Sequence, residues 1–313
     1  MSASLKILVI RLSSIGDIVL TSPVVRALKK QLNAEIHFLT KKTFSSWLKH
    51  NPYIDKIHLY ESGTDSLKQT SFDWVIDLHN NFRTFRIKQS LRLPSKSVNK
   101  LNIRKFILTA FKWNIMPPIH MVDRNMATVA HLGVKNDHKG LDFFIPKGEK
   151  LPDEFALEKS FVAVVIGGQH PTKILPTYKL IELCKQLNRT FVLVGGPEDK
   201  IRGDEIVGDT AHGLNACGRL SLIQSALLVK GAEFVISHDT GMMHISAAFK
   251  KKIYSIWGST VPAFGMAPYM ADPLSEMVEN KELGCRPCSK IGYSKCPRGH
   301  FKCMQDIDLS VIR

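Results

Sequence analysis

Residues 233–258 read EFVISHDTGMMHISAAFKKKIYSIWG. EFVIS and KIYSIW have the length and the β-branched and aromatic content of buried strands, and MMHISAAF between them suits a helix. A strand, a crossover helix and a second strand in that order predict a parallel pair. The corner HDTG then falls where a strand hands over to a helix. Free N–H groups of a helix's first turn, at the positive end of its dipole, form an anion site there. Gly241 allows close approach to the backbone, and the Thr240 hydroxyl can donate to a phosphate oxygen. Asp239 or Thr240 can equally serve as an N-cap worth about 1 kcal/mol. The motif alone does not choose between the two roles.

Moving outward, the same alternation recurs on both sides. FVAVVIGG, TFVLVGG, KILVIRL (6–12), EIHFLT, KIHLY and DWVIDL read as strands. TYKLIELCKQL, SLIQSALLVKGA and, as one continuous element, IVLTSPVVRALKKQL read as helices. A polar, proline-bearing stretch from about Lys135 to Ser160 suits a connection. The expected fold class is therefore α/β, with two Rossmann-like, doubly wound domains, 1–150 and 151–313, facing each other. In such sheets ligands bind beyond the carboxyl ends of the strands. The loops to inspect are SSIGD, HNNFR, GGQHPTK, GGPEDK and HDTG.

Several function classes fall away. No G-x-G-x-x-G follows the first strand and no G-x-x-x-x-G-K-[ST] occurs, which disfavours dehydrogenases and P-loop NTPases. Arg11 and Asp17 interrupt the first apolar stretch, which is too short for a secretory signal, and no run reaches membrane-spanning length. The expectation is a soluble, cytoplasmic chain. Its formal charge of +15 is uneven, because residues 1–150 carry 24 Lys and Arg against 11 Asp and Glu. Between Asp77 and Asp123 there is no acidic residue, while nine basic ones fall there. An anionic surface, either phosphorylated lipid or nucleic acid, would be attracted to such a run, which can also be a merely solvated face.

KILVIRLSSIGDIVLTSPVVRALK, GGQHPTKILP, and LSLIQSALLVKGAEFVISHDTGMMHISAAF followed by IYSIWGST together resemble the lipopolysaccharide heptosyltransferases of glycosyltransferase family 9, in matching order over nearly the whole chain. The resemblance implies a GT-B architecture, with an amino-terminal acceptor domain, a carboxyl-terminal nucleotide-sugar domain and the reaction in the cleft. It implies inverting transfer from an ADP-sugar to a lipid A core saccharide. It also implies that no cofactor takes part, and the Asp-x-Asp of metal-dependent relatives has one counterpart, Asp306-Ile-Asp308, better explained as the start of a last helix.

Asp17 matches the aspartate of the family's SS-x-GD loop and is the candidate base, with Ser13, Ser14 and Gly16 shaping the turn; its other reading is a cap on a helix beginning at Ile18. Lys173 matches the family lysine that would meet the leaving diphosphate, with Thr172 adding a hydrogen bond and Thr240 and Gly241 supplying N–H groups. Glu198 is a candidate ribose-hydroxyl acceptor, Asp239 shapes the turn, and His244 is either a donor contact or a buried histidine. His79, Asn80, Asn81 and Arg83 are acceptor candidates, with helix capping as the asparagines' alternative. The partners implied are a nucleotide-diphosphate sugar, a phosphorylated lipid-linked acceptor and an anionic membrane surface, the enzyme being peripheral at the inner membrane. A GT-B-shaped epimerase would act on the donor alone and need no basic acceptor domain. A nucleic-acid binder has only the basic run in its favour, without any recognition motif.

The loop 284–304 carries Cys285, Cys288, Cys296 and Cys303 in a C-x2-C-x7-C-x6-C pattern with His300 inside it. Four thiolates at such spacing can close a structural zinc site, or they can be free packed thiols; disulfides suit a reducing cytoplasm least. Cys184 and Cys217 read as small buried residues.

Overall fold

The structure, a computed structural model, describes residues 4–313. It divides into two compact units, one running to Lys100 and resuming over Ile119–Pro146, the other comprising Leu101–Pro118 and Lys147–Arg313.

The first unit is built on five parallel strands, β1 (Lys6–Ile10), β2 (Glu35–Thr40), β3 (Lys56–Leu59), β4 (Trp74–Asp77) and β5 (Ser95–Ser97), in the order β3-β2-β1-β4-β5. Ile7 of β1 pairs with Ile36 on one side and Trp74 on the other. Because helices cover both faces of such a sheet, its central strands are apolar on both sides, and Ile7, Leu8, Val9 and Ile10 are wholly buried. The second unit has six parallel strands, β6 (Val162–Val165), β7 (Phe191–Val194), β8 (Gly213–Asn215), β9 (Phe234–His238), β10 (Lys252–Trp257) and β11 (Glu276–Glu279), in the order β11-β10-β9-β6-β7-β8. In both sheets the chain winds outward from the middle in two directions. The reversal lies between β1 and β4 in the first unit and between β6 and β9 in the second, and ligands bind at such switch points.

Three departures from the sequence reading have local causes. The edge strands β5, β8 and β11 pair on one side only and carry little apolar sequence, so no periodic signal marks them. IVLTSPVVRALKKQL is not one helix but the end of Ile15–Val19 followed by Ser22–Leu32. Pro23 lacks an N–H and suits only a first turn. Thr21 Oγ1 donates to the Ile18 carbonyl at 2.6 Å and Ser22 Oγ to that of Val19 at 2.7 Å, satisfying carbonyls at the break. Third, Leu101–Pro118 belongs with the second unit, where Lys112 Nζ donates to the Pro287 carbonyl at 2.7 Å.

Candidate active site

The switch point of the first unit gathers the loops after β1 and β4. Arg11, directly after β1, is buried, and its guanidinium donates to the Ser13 carbonyl at 2.7 Å and the Leu78 carbonyl at 2.5 Å. Its remaining nitrogen pairs with the Asp17 carboxylate, to which Ser14 Oγ also donates at 3.2 Å. Asp17 lies in the first turn of Ile15–Val19 rather than at its cap, and Gly16 beside it is buried. The helix therefore begins earlier than Ile18, and the capping role for Asp17 is not taken up. Its carboxylate is oriented by a guanidinium and a hydroxyl.

Asp77, at the end of β4, is wholly buried and arranges the next loop. Its Oδ1 accepts the N–H groups of His79 at 3.0 Å and Asn80 at 2.7 Å, and its Oδ2 lies 3.0 Å from Lys88 Nζ. Asn80, with φ 43°, donates through its side chain to the Val98 carbonyl at 2.8 Å. Asn81 closes a capping box with Thr84 on the helix Phe82–Leu91, so its side chain serves the helix. Arg83 is exposed on that helix. His79 is half-buried and its Nδ1 has no hydrogen-bond partner among the described residues. Burial first, then the positive charges of Arg11 and Lys100, lower its pKa to about 4, against the opposing pull of Asp77 and Asp17. Burial and Arg11 also depress Lys100, which Asp17 and Asp77 partly offset. Arg11, Asp17, Asp77, His79 and Lys100 thus share one electrostatic neighbourhood. Of these, Arg11, Asp77 and Lys100 are additions to the sequence reading. The first two were visible as charges at strand ends, whereas Lys100 was one of nine cations in a long basic run.

At the second unit's switch point, Lys173 follows β6 and Asp239 follows β9, and Lys173 Nζ meets Asp239 Oδ2 at 2.6 Å. Thr260 Oγ1 donates to the same oxygen at 2.8 Å. Thr240 occupies the N-cap position of the helix Gly241–Ala248 without a side-chain capping bond, so the N-cap reading of its hydroxyl is not realised. Close by, a Cβ at Gly168 would stand 3.3 Å from the Thr240 methyl. Glu198 is exposed after β7, curled so that a Cβ at Gly196 would strike its carboxylate.

Two expectations need correction. Thr172 is buried, and its hydroxyl accepts from the Tyr293 N–H at 2.7 Å and from Ser259 Oγ at 3.0 Å while donating to the Tyr293 carbonyl at 3.0 Å. A hydroxyl has one donor and two acceptor sites, and all are used. Thr172 therefore braces the loop and does not offer a bond to a ligand. His244 is buried within its helix, which takes it away from a ligand surface.

His238 was missed. Its Nε2 accepts the Leu175 N–H at 3.0 Å, tying the loop that carries Lys173 to the end of β9, and burial lowers its pKa to about 3. The cysteine-rich loop leans on the same place. Gly292, with φ 109°, leaves no room for a Cβ against His170 and the Lys173 side chain, and Cys288 N–H donates to the Ser259 carbonyl at 2.9 Å. Buried Arg286 donates to the carbonyls of Trp257, Gly258, Thr260 and Asn280 and pairs with Glu279 at 2.9 Å, fixing the ends of β10 and β11.

The zinc expectation does not fit this arrangement. All the cysteines are free thiols, and among the described residues no group of three or more His, Cys, Asp or Glu side chains is disposed to hold a metal ion. Cys285 Sγ stands 3.8 Å from His300 Nε2, Cys288 Sγ turns to the Cys285 carbonyl at 3.5 Å, and burial pushes the Cys303 thiol up to about 12. Asp306-Ile-Asp308 follows the helix Lys302–Gln305 instead of starting one, and Asp308 Oδ1 accepts the Ser310 N–H at 2.9 Å.

The model of glycosyltransferase family 9 (heptosyltransferase) matches residues 62–296. Lipopolysaccharide heptosyltransferase 2 of Salmonella typhimurium is 25% identical over 299 residues, covering 83% of this chain and 84% of its own. Among solved structures, the glycosyl transferase family 9 protein of Veillonella parvula superposes with a TM-score of 0.71 at 22% identity, covering 88% of this chain and 86% of its own. The E. coli ADP-heptose lps heptosyltransferase II superposes at 0.68 with 20% identity, covering 96% and 98%. With its two parallel sheets, the architecture is the two-domain, Rossmann-like GT-B fold.

Proposed function

The chain belongs to glycosyltransferase family 9 and is a glycosyltransferase, and from that premise we propose that it transfers a heptose or closely related sugar from an ADP-linked donor to a phosphorylated, lipid-linked saccharide of the lipid A core. Supporting this reading, the relative from Salmonella typhimurium is a lipopolysaccharide heptosyltransferase and the E. coli protein of like fold is an ADP-heptose lps heptosyltransferase. The observation that carries it is the pair of switch points, one presenting an oriented carboxylate, Asp17, and the other a lysine, Lys173, each in the segment after a central strand.

In the proposed mechanism the acceptor hydroxyl gives its proton to Asp17 as its oxygen bonds to the anomeric carbon. The bond from that carbon to the diphosphate breaks on the opposite face, so configuration inverts. Lys173 and the backbone N–H groups about Thr240 and Gly241 take up the negative charge of the departing ADP. Glu198 accepts from a ribose hydroxyl. Ser13, Ser14 and Gly16 shape the acceptor turn, and His79, Asn80, Arg83 and Lys100 meet the acceptor's hydroxyls and phosphates, with Asn81 capping the helix that carries Arg83. Lys173 and the N–H groups about Thr240 and Gly241 let the reaction proceed without a divalent metal. The enzyme works at the cytoplasmic face of the inner membrane, drawn there by its basic run.

Calorimetric titration with ADP, UDP, GDP and CMP tests the donor assignment. ADP is expected to bind tightest, and transfer from ADP-heptose is expected to survive EDTA. Preference for UDP or GDP would change the donor, and loss of activity on chelation would overturn the metal-free scheme.

A further inference from the structure

The helix Asn102–Phe111 is seated on the second unit by one face. Leu108 is buried there, the Lys105 ammonium lies 5.7 Å from the centre of the Phe264 ring, and Lys112 Nζ reaches the Pro287 carbonyl. The other face is apolar and open to solvent. Ile103, Phe106 and Trp113 are 77%, 55% and 69% exposed; Ile103, Phe106 and Ala110 recur every three or four residues, which sets them in one stripe, and Trp113 follows just beyond the helix's C-cap, Lys112. Phe111 joins them, meeting the Phe106 ring edge-on at 6.2 Å and lying 5.9 Å from that of Trp113. Covering each such side chain is worth about 1.5–3 kcal/mol, and soluble surfaces seldom keep several together.

The charge around this stripe selects its partner. No acidic residue occurs between Asp77 and Asp123, and Arg104 is exposed on the helix, whereas Lys105 and Lys112 are turned to the second unit. An apolar face flanked by an exposed arginine and free of acidic neighbours in sequence, with tryptophan beside it, matches the boundary between the headgroups and acyl chains of an anionic bilayer. Being already folded against the second unit, the helix has little conformational entropy left to lose on binding.

We propose that Ile103, Phe106, Phe111 and Trp113 insert into an anionic phospholipid surface, with Arg104 on a headgroup phosphate. Their purpose there, holding the enzyme beside a lipid-linked acceptor, rests on the transferase reading; the insertion itself does not. The test uses the full chain and vesicles of phosphatidylethanolamine with phosphatidylglycerol, set against phosphatidylcholine alone. Wild type is expected to sediment with the anionic vesicles and to have tryptophan emission quenched by brominated lipid. Phe106→Ser/Trp113→Ser should lower vesicle affinity at least about tenfold and leave the rate on a soluble, delipidated acceptor unchanged. Trp113→Phe should keep the binding and lose most of the quenching. Equal vesicle binding by wild type and the double variant would overturn the proposal. So would a wild-type dimer that the double variant turns into a monomer, since a second copy would then own the stripe. If vesicle binding behaves as expected but no sugar is transferred, the transferase reading falls and the membrane surface stands.

Discussion

Asp17 is held from two sides, by the buried Arg11 guanidinium and by Ser14 Oγ, so its carboxylate is aimed before any substrate arrives. Asn at this position keeps the shape and can still meet Ser14 but cannot take a proton. Asp17→Asn should therefore lower kcat by about 10²–10⁴-fold while leaving ADP affinity as it was. Full turnover in that variant, measured beside its nucleotide Kd, would remove Asp17 as the base. Lys173 calls for a different test because it already neutralises Asp239 at 2.6 Å. Removing the lysine alone leaves an acidic group where the diphosphate is to bind. Lys173→Ala should weaken ADP by roughly 10–100-fold, and Lys173→Ala/Asp239→Asn should recover part of that loss. If the double variant binds no better than the single one, the two residues do not act on the same phosphate. Asp17 and Lys173 were legible because each lies in the segment after an apolar run and matches a residue of the family's motifs, and Asp239 because it follows EFVIS almost at once. Arg11 and Asp77 stood at strand ends too, but a charge inside or beside an apolar run reads as an interruption until the fold shows what it holds.

At the scale of elements, the sequence was legible where packing is two-sided. Central strands announce themselves as unbroken apolar runs, whereas β5, β8 and β11 need only one neighbour and leave little trace. The break before Ser22–Leu32 was hidden because apolar spacing continues through it, although Pro23 was the available signal. The bracing of the Lys173 loop was not legible at all, since Thr172 meets Tyr293, 121 residues further on. That contact predicts the behaviour of Thr172→Val, a change of nearly the same shape that strips three hydrogen bonds from a buried site. Urea unfolding should show a loss of about 2–3 kcal/mol, with weaker donor binding as Lys173 loosens. If stability is kept while donor affinity falls, the hydroxyl meets the nucleotide directly and the bracing role is wrong.

Across the whole molecule the basic excess was plain from composition, but its distribution was not, because part of the run sits on the second unit. Histidines were similarly easy to count and hard to place. His58 is buried against His37, with a ring nitrogen of each 2.8 Å apart, and burial with repulsion from His37 and Lys56 lowers its pKa to about 4. His79 in the same unit also falls to about 4, and His238 in the second unit falls to about 3. In the unfolded chain each would protonate near pH 6.5. Between that value and about pH 4 the unfolded state binds more protons than the folded one, so stability present above pH 6.5 is lost as the pH falls. The loss should be on the order of several kcal/mol in all, since each unit of pKa is worth about 1.4 kcal/mol. Each unit of the molecule holds at least one of these histidines, so scanning calorimetry from pH 7 to pH 4.5 should find every transition moving to lower temperature. His58→Gln can keep a hydrogen bond to His37 but cannot titrate, and it should reduce the pH dependence of the first unit only, to the part that His79 supplies. A Tm that stays level from pH 7 to pH 4.5 would mean that these rings charge inside the fold without cost.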